Sequence, residues 1–503
     1  MTTDLCIVGA GAAGLAIALD LIGAPVRVLL LERGGITDGN GGRRHLPRRG
    51  RSPPRLVLDP EALRYVGGNT NHWLGNCRPL DEEDFAARDW IPDSGWPIRR
   101  DALAPFYERA QELCGLGGLG LYDLEACRSY LAHPPLEVEP GILVNRVLQT
   151  CPEPRLALLH GPRLRDADNV RVLAGARVTQ FETNASGDTV VQLHAVTAGK
   201  RPLRVAARVF VLAAGGVDNA RLLLGSAGPA HPAGLGNRHD VVGLYFMEHA
   251  YVDVPIAPWG EKRDLHFYTG RQSVGAALIW GQLSLSHEFM RAERAPGLTL
   301  WFQRQASMAP SVAAASRLKG MVMGRARPAM PFRDLLTVLR RPGDVWRAAR
   351  ERRGAPGNAL AIRIQMEQTP RPWNRVALAR VRDRHGQQRA ELTLRLTDDE
   401  PQHTRSLAMA AETLGLEGRR LAAMVQAMVR AGEVGFFSHH MGTTRMGEGP
   451  TEGVVDCEGQ VFGISNLFVA GSSVFPIGGT AGPTLTIVAL ALRLAHHLRQ
   501  RHW

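Results

Sequence analysis

The residues with the clearest chemical meaning lie near the start of the chain. There Gly9-Ala10-Gly11-Ala12-Ala13-Gly14 follows an apolar run and precedes a helical pattern. A bare Gly-x-Gly-x-x-Gly carries little information. A strand before it, a helix after it and an acid, Glu32, at the end of the next strand turn it into a dinucleotide fingerprint. Gly9 permits the tight turn, Gly11 lets the backbone approach a pyrophosphate, and Gly14 lets helix and strand pack closely. The helix N-terminus offers unpaired N–H groups and the positive end of its dipole to phosphates. Glu32 is placed to accept hydrogen bonds from ribose hydroxyls, and its charge would repel the 2′-phosphate of NADP. The fingerprint alone leaves FAD and NAD both open. The cysteines Cys6, Cys77, Cys114, Cys127, Cys151 and Cys457 are scattered, with no Cys-x-x-Cys pair. Neither a metal site nor a disulfide framework is expected, and free thiols fit a reducing compartment.

The elements that must hold the fingerprint follow from pattern. Residues 5–8 read as a buried parallel strand, 12–22 as a helix and 26–31 as a second strand, a β-α-β unit. Residues 34–55 are rich in Gly, Arg and Pro and read as a solvated loop. A helix is expected over 101–114 and strands over 170–182, 189–196 and 203–213, with Gly187-Asp188 as a hairpin turn. Alternating stretches at 359–365 and 390–396 predict an antiparallel sheet in a separate substrate domain. Pro483 opens a long helix over 484–498, since proline suits a first helical turn. No internal repeat is visible.

The chain has 503 residues, 45% hydrophobic and 21% charged, which predicts a soluble globular protein of two or three domains. Net charge is +12 and the pI about 10.0. Among 60 basic residues only Lys200, Lys262 and Lys319 are lysine. That skew reads as composition rather than as a nucleic-acid footprint, and no nucleic acid is expected as a partner. Segment 317–353 carries eleven basic and three acidic residues. An exposed helical excursion is the preferred reading, and peripheral membrane contact is the alternative. Met1-Thr2-Thr3-Asp4 lacks a basic signal-peptide start and no apolar run is long enough to span a bilayer, so a cytoplasmic protein is expected.

From Val66-Gly67-Gly68-Asn69-Thr70-Asn71-His72-Trp73 onward the chain resembles the glucose–methanol–choline (GMC) oxidoreductase family. The resemblance runs through Pro79-Leu80, Ser94-Gly95-Trp96-Pro97, Val211-Leu212-Ala213-Ala214-Gly215-Gly216, Asn219-Ala220-Arg221 and Glu367-Gln368 with Asn374-Arg375-Val376. It is densest at His439-His440-Met441-Gly442-Thr443-Thr444-Arg445 and at Asn466 to Pro476. The blocks come in family order, with 255–355 the least recognisable part, and are most similar to the bacterial branch related to pyranose 2-oxidase and sugar dehydrogenases. The resemblance implies an α/β protein: a Rossmann-like FAD-binding domain from 1–250 and 431–503, with loops around 40–140, and a discontinuous α+β antiparallel-sheet substrate domain over 251–430.

It also implies FAD as cofactor and oxidation at a CH–OH carbon, the proton going to an enzyme base and the hydride to flavin N5. The base matches His439, a residue type whose ordinary pKa lies near working pH; His440 is a second candidate. The family's second His or Asn, just before Pro483-Thr484, falls on Gly482, which has no side chain. Either His439 works alone, another polar group substitutes, or the reaction differs. His72 matches the histidine joined covalently to flavin in pyranose 2-oxidase, whereas relatives with similar motifs bind FAD non-covalently. Around the cofactor the resemblance also implies Arg33 beside Glu32, Gly67, Gly68, Asn71 and Trp73, then Val178, Ala214 and Gly215. Ala470, Gly471, Pro483 and Thr484 complete the set, the helix after Pro483 directing its dipole at the flavin pyrimidine edge.

The leading expectation is therefore an FAD-dependent alcohol oxidoreductase acting on a sugar, glycoside or related polyol, with oxygen, a quinone or another acceptor taking the electrons. A redox-neutral FAD-containing lyase is the alternative, favoured by Gly482. A nucleic-acid-binding module is a third reading, opposed by the flavin motifs.

Overall fold

The computed structural model describes residues 1–37, 55–58, 64–256, 263–305, 311, 314–315, 318–319, 331–343, 345–346, 359–501 and 503. It is a mixed α/β structure in which three sheets meet. The β-α-β unit forms as β1 (Thr2–Val8), α1 (Ala12–Asp20) and β2 (Val28–Leu31). Every residue from Leu5 to Val8 and from Val28 to Leu31 is buried, as an apolar parallel strand covered on both faces requires.

Strand Thr2–Val8 lies between Val28–Leu31 and the parallel end of Pro202–Leu212. Strand Val170–Leu173 extends the sheet beyond Val28–Leu31, and Leu467–Val469 pairs with Phe210–Leu212 on the other side. The last parallel strand thus comes from near the end of the chain. The run expected over 170–182 is two strands, because Gly175 turns with φ +72°. Val170–Leu173 stays in the parallel sheet, while Ala176–Thr183 enters an antiparallel meander with Val190–Thr197 and Pro202–Leu212. Gly187, at φ +82°, lies in the turn between the first two strands of that meander.

The second large sheet is antiparallel, in the order Gly435–Phe436, Ala250–Pro255, Ala359–Met366, Leu298–Gln305, Ala277–Leu285, Leu143–Thr150 and Asn76–Cys77. The segment before residue 250 therefore supplies strands to both large sheets. The stretch expected as one sheet with 359–365 divides. Residues 388–393 pair with Arg375–Arg382 across a turn at Gly386 (φ +79°), and with Arg55–Val57. This small sheet packs on helix Gly215–Gly225. The hairpin and Arg55–Val57 form a sheet of their own, with no ladder to the large sheet.

Helix Thr484–Arg499 lies between α1 and Ala104–Cys114, its apolar residues buried except for Ile487, which borders the cavity described below. Most of the arginine-rich loop and of segment 317–353 lies outside the described residues. Within the latter, helix Pro331–Arg340 exposes Leu335, Leu336 and Leu339. No helix among the described residues is long and apolar enough to cross a membrane. All six cysteines are free.

The fingerprint glycines divide their labour. A Cβ on Gly14 would run into the Gly9 carbonyl oxygen, and one on Gly9 would sit 2.5 Å from Ala213 O. Gly11, at φ −82°, has nothing within 4 Å of its Cβ position. Gly14→Ala is expected to destabilise the protein by about 1–3 kcal/mol, the cost of overpacking a tight contact, while Gly11→Ala leaves the ligand-free protein unchanged. Thermal midpoints of the two variants test this, and equal midpoints contradict it.

Candidate functional site

Both large sheets and both ends of the chain border one cavity of about 860 Å³, toward the upper end of small-molecule pockets at ~300–1,000 Å³. One half is built for a dinucleotide. Gly11 precedes helix α1 and Pro483 precedes Thr484–Arg499, and neither helix has a side-chain cap. Their first N–H groups are thus left for a ligand, and both termini line the cavity. Gly11, Gly215 and Gly471 face open space where a side chain would stand, so a ligand can reach the backbone. Gly68 closes the cradle, 3.1 Å from Gly11 Cα at its Cβ position.

Glu32 borders the same space. Its Oε2 accepts from the Ala10 N–H at 3.0 Å and its Oε1 from the Gly34 N–H at 2.8 Å. Arg33, Arg64, Arg177 and Arg221 surround it, offset in part by Asp218 and Asp383. Burial, and then the neighbouring Arg64, pull Arg33 down to about 10. Among the described residues guanidinium groups outnumber carboxylates here, which favours an anionic ligand. Uncapped helix ends, bare glycines and cationic surroundings fit a dinucleotide pyrophosphate.

The other half is built for chemistry, and a bulge makes it. Ala250 pairs with Phe436, and farther along Met247 pairs with Met441. Two residues lie between the pairs on one strand and four on the other. Ser438 absorbs the excess in the left-handed region, at φ +67°, a strained conformation for a residue with a side chain. The bulge turns His439 into the cavity. The backbone N–H it frees donates to Glu248 Oε1 at 2.7 Å, and the same oxygen accepts from His249 N–H at 2.9 Å. Gln368 in turn accepts from the Glu248 N–H at 2.9 Å.

The His439 ring is held on two sides. Phe437 stacks on its face, with centroids 5.3 Å apart, and His249 meets it edge-on at 5.1 Å. The two Nδ1 atoms are 2.9 Å apart, and His249 Nε2 lies 2.9 Å from the Gly479 carbonyl oxygen. Burial, and then His249 and His440, hold His439 well below its ordinary value. Burial pushes His249 down to about 4 against the Gly479 carbonyl and Glu367. His440 is buried, its Nε2 3.5 Å from Glu248 Oε2, and burial and Arg64 likewise push it down to about 4. Beyond His439 the wall is aromatic: Tyr251, Trp280, Trp301 and Phe437. Arg363 lies 3.9 Å over the Tyr251 ring and is neutralised by a two-pronged pair with Asp253 at 2.8 and 3.0 Å.

The sequence-derived candidates reach this cavity unevenly. His439, His440, His72, Trp73, Gly68, Val178, Ala214, Pro483 and Thr484 line it, as do Gly9, Ala12 and Ala13. Gly14, Gly67, Asn71 and Ala470 support it from behind. Gly67 donates to Ala10 O, Asn71 donates back to Val66 O, and Ala470 O accepts from Asn219. His72 Nε2 lies 2.5 Å from the Tyr65 hydroxyl. Gly482 lies directly beside the histidine, its Cβ position 3.9 Å from His439 Cε1. His249 and the aromatic wall escaped the sequence reading. An adjacent acid and histidine at the head of an alternating strand, Glu248-His249 before Ala250–Pro255, was the available signal. His133, Asp264 and stacked His266 form a group of metal-ligand types away from the cavity.

A GMC oxidoreductase family model matches residues 349–491. The chain is 25% identical to a 2-methyl-1,2-propanediol dehydrogenase of Mycolicibacterium austroafricanum, over 99% of this chain and 95% of that one. It is 26% identical to a fructose dehydrogenase large subunit of Gluconobacter japonicus, over 98% and 97%. Among solved structures it resembles pyridoxine 4-oxidase from Mesorbium loti, with a TM-score of 0.57 at 16% identity and full coverage of both chains.

His249 and His440, both about 4 when folded, set an acid limb of stability. Between that value and the ordinary ~6.5 the unfolded chain binds protons that the fold refuses. Stability is therefore full above ~6.5 and falls as pH drops toward 4, by about 1.4 kcal/mol per pH unit for each group. Denaturation midpoints at pH 6.5, 5.5 and 4.5 are expected to fall less steeply in His249→Asn than in the unaltered protein. Parallel slopes contradict the assignment.

Proposed function

We propose that this chain, an oxidoreductase similar to the GMC family and its alcohol and sugar dehydrogenases, binds FAD in this cavity and oxidises a CH–OH group of a sugar, glycoside or related polyol with His439 as the base. The carrying observation is a histidine with Nδ1 occupied by the protein and Nε2 hydrogen-bonded to no described residue, on the wall of a cavity with a dinucleotide cradle. FAD, when bound, supplies the acceptor for the hydride leaving the carbinol carbon. The α1 terminus and the arginine group would hold its phosphates. The uncapped N-terminus of Thr484–Arg499 would offer the positive end of its dipole to negative charge on the cofactor.

His439 is uncharged at neutral pH and so ready to accept the hydroxyl proton. The aromatic wall and the neutralised Arg363 support an uncharged substrate that stacks a carbon-bound face on rings, which suits a polyol ring. Gly482 leaves room beside His439 for a large one.

Anaerobic addition of sugars, glycosides and simple alcohols to the purified protein is expected to bleach the visible flavin band with at least one sugar or polyol. A flavin that none bleaches supports the redox-neutral lyase reading. His439→Ala is expected to slow flavin reduction by roughly 10²–10⁴-fold, the usual general-base contribution, and reduction at the original rate removes His439 from the mechanism. Because the Tyr65 hydroxyl already engages His72 Nε2, acid precipitation is expected to release FAD into a yellow supernatant. Colour retained in the pellet shows a covalent link instead.

A further inference from the structure

We propose that His249 is the positioning residue that decides which nitrogen of His439 carries the proton, doing so from the residue just before strand Ala250–Pro255, opposite the bulge, where Gly482 offers no side chain. The proposal rests on the reading of His439 as the base. A carbonyl oxygen can only accept, so the 2.9 Å contact with Gly479 O requires the proton of His249 to sit on Nε2. A neutral imidazole has one N–H, and its other nitrogen is then a lone pair. That lone pair is His249 Nδ1, 2.9 Å from His439 Nδ1. A hydrogen bond of that length needs one donor, so His439 carries its proton on Nδ1. Its Nε2 is left as a lone pair, which is the form a base must have. The opposite tautomer would set two lone pairs against each other in a buried site, at the cost of a lost hydrogen bond.

Burial keeps His249 neutral at working pH, as the argument requires. The geometry is fixed from every side. Phe437 sets the plane of the His439 ring, and Glu248 ties down the backbones of both histidines. Gly479 sits at φ +57°, in the region that favours glycine, and a Cβ there would lie 2.6 Å from the Asp84 carboxyl. Its carbonyl is therefore held where His249 needs it. When substrate reacts, the O–H bond breaks and an N–H bond forms at His439 Nε2. The positive charge gained is shared through the Nδ1–H donated to His249, and no second proton has to move.

The test reads the tautomer and the rate separately. Histidine ¹⁵N chemical shifts of the purified protein, assigned by comparison with His249→Phe and His439→Ala, are expected to show His439 as Nδ1–H and His249 as Nε2–H. His249→Phe keeps a ring but removes the acceptor. It is expected to slow anaerobic flavin reduction on the order of 10²-fold, within the range of general-base effects, with substrate Kd little changed. His249→Asn, which keeps an acceptor at the Nδ1 position, is expected to recover most of that loss. A proton on Nε2 of His439 in the unaltered protein overturns the proposal without any variant having to fold. So does reduction at the original rate in His249→Phe while His439→Ala is slow. Reduction at the original rate in His439→Ala overturns the proposed function itself, and His249 then positions nothing catalytic.

Discussion

The site depends on one buried carboxylate. Glu248 is wholly enclosed, and a single oxygen of it accepts from the backbone N–H groups of His249 and His439. Those residues come from segments far apart in sequence, and the sheet register alone would not bring their side chains together. The bulge at Ser438 breaks the ladder, and a broken ladder leaves N–H groups that cannot stay unpaired in the interior. Glu248 satisfies them. In doing so it converts a backbone irregularity into a fixed distance between two imidazoles.

Polar side chains used as clasps recur around this point. Gln368 holds the backbone of Glu248, and Glu367 beside it forms a buried two-pronged pair with Arg88. Asn219 accepts from Ala214 N–H and donates to Ala470 O and Ser473 Oγ, tying the ends of two parallel strands above the dinucleotide cradle. Thr443 donates to Gly216 O and Thr444 to Ser473 Oγ. Motifs that carry the resemblance to the GMC family thus serve largely to hold the two halves of the cavity against each other.

What the amino-acid sequence made legible was what chemistry makes local. The fingerprint can be read because Gly9, Gly11 and Gly14 act through their own backbone within one turn, and Glu32 lies at the end of the next strand. His439 was legible through a contiguous block. His249 was not, since its role is defined by Gly479 and His439, each nearly two hundred residues away or more. Trp280 and Trp301 sit in strands whose alternation looks the same whether the rings face a core or a cavity. Sheet membership was hidden for the same reason: nothing within 143–150 shows that it pairs with Ala277–Leu285, or within 388–393 that it folds back on its own hairpin.

The place of the final parallel strand has a consequence for the making of the protein. The cradle needs Gly9 to Ala13, but it also needs Leu467–Val469, Gly471 and the helix that follows Pro483, all synthesised much later. A chain still on the ribosome holds the fingerprint long before it holds the opposite wall. Tight cofactor capture must then await synthesis of Pro483 and the helix it opens. A nascent chain broken off before Leu467 carries the glycine motif but not the opposite wall, so the cofactor discriminates between chains that hold both walls and fragments that hold one.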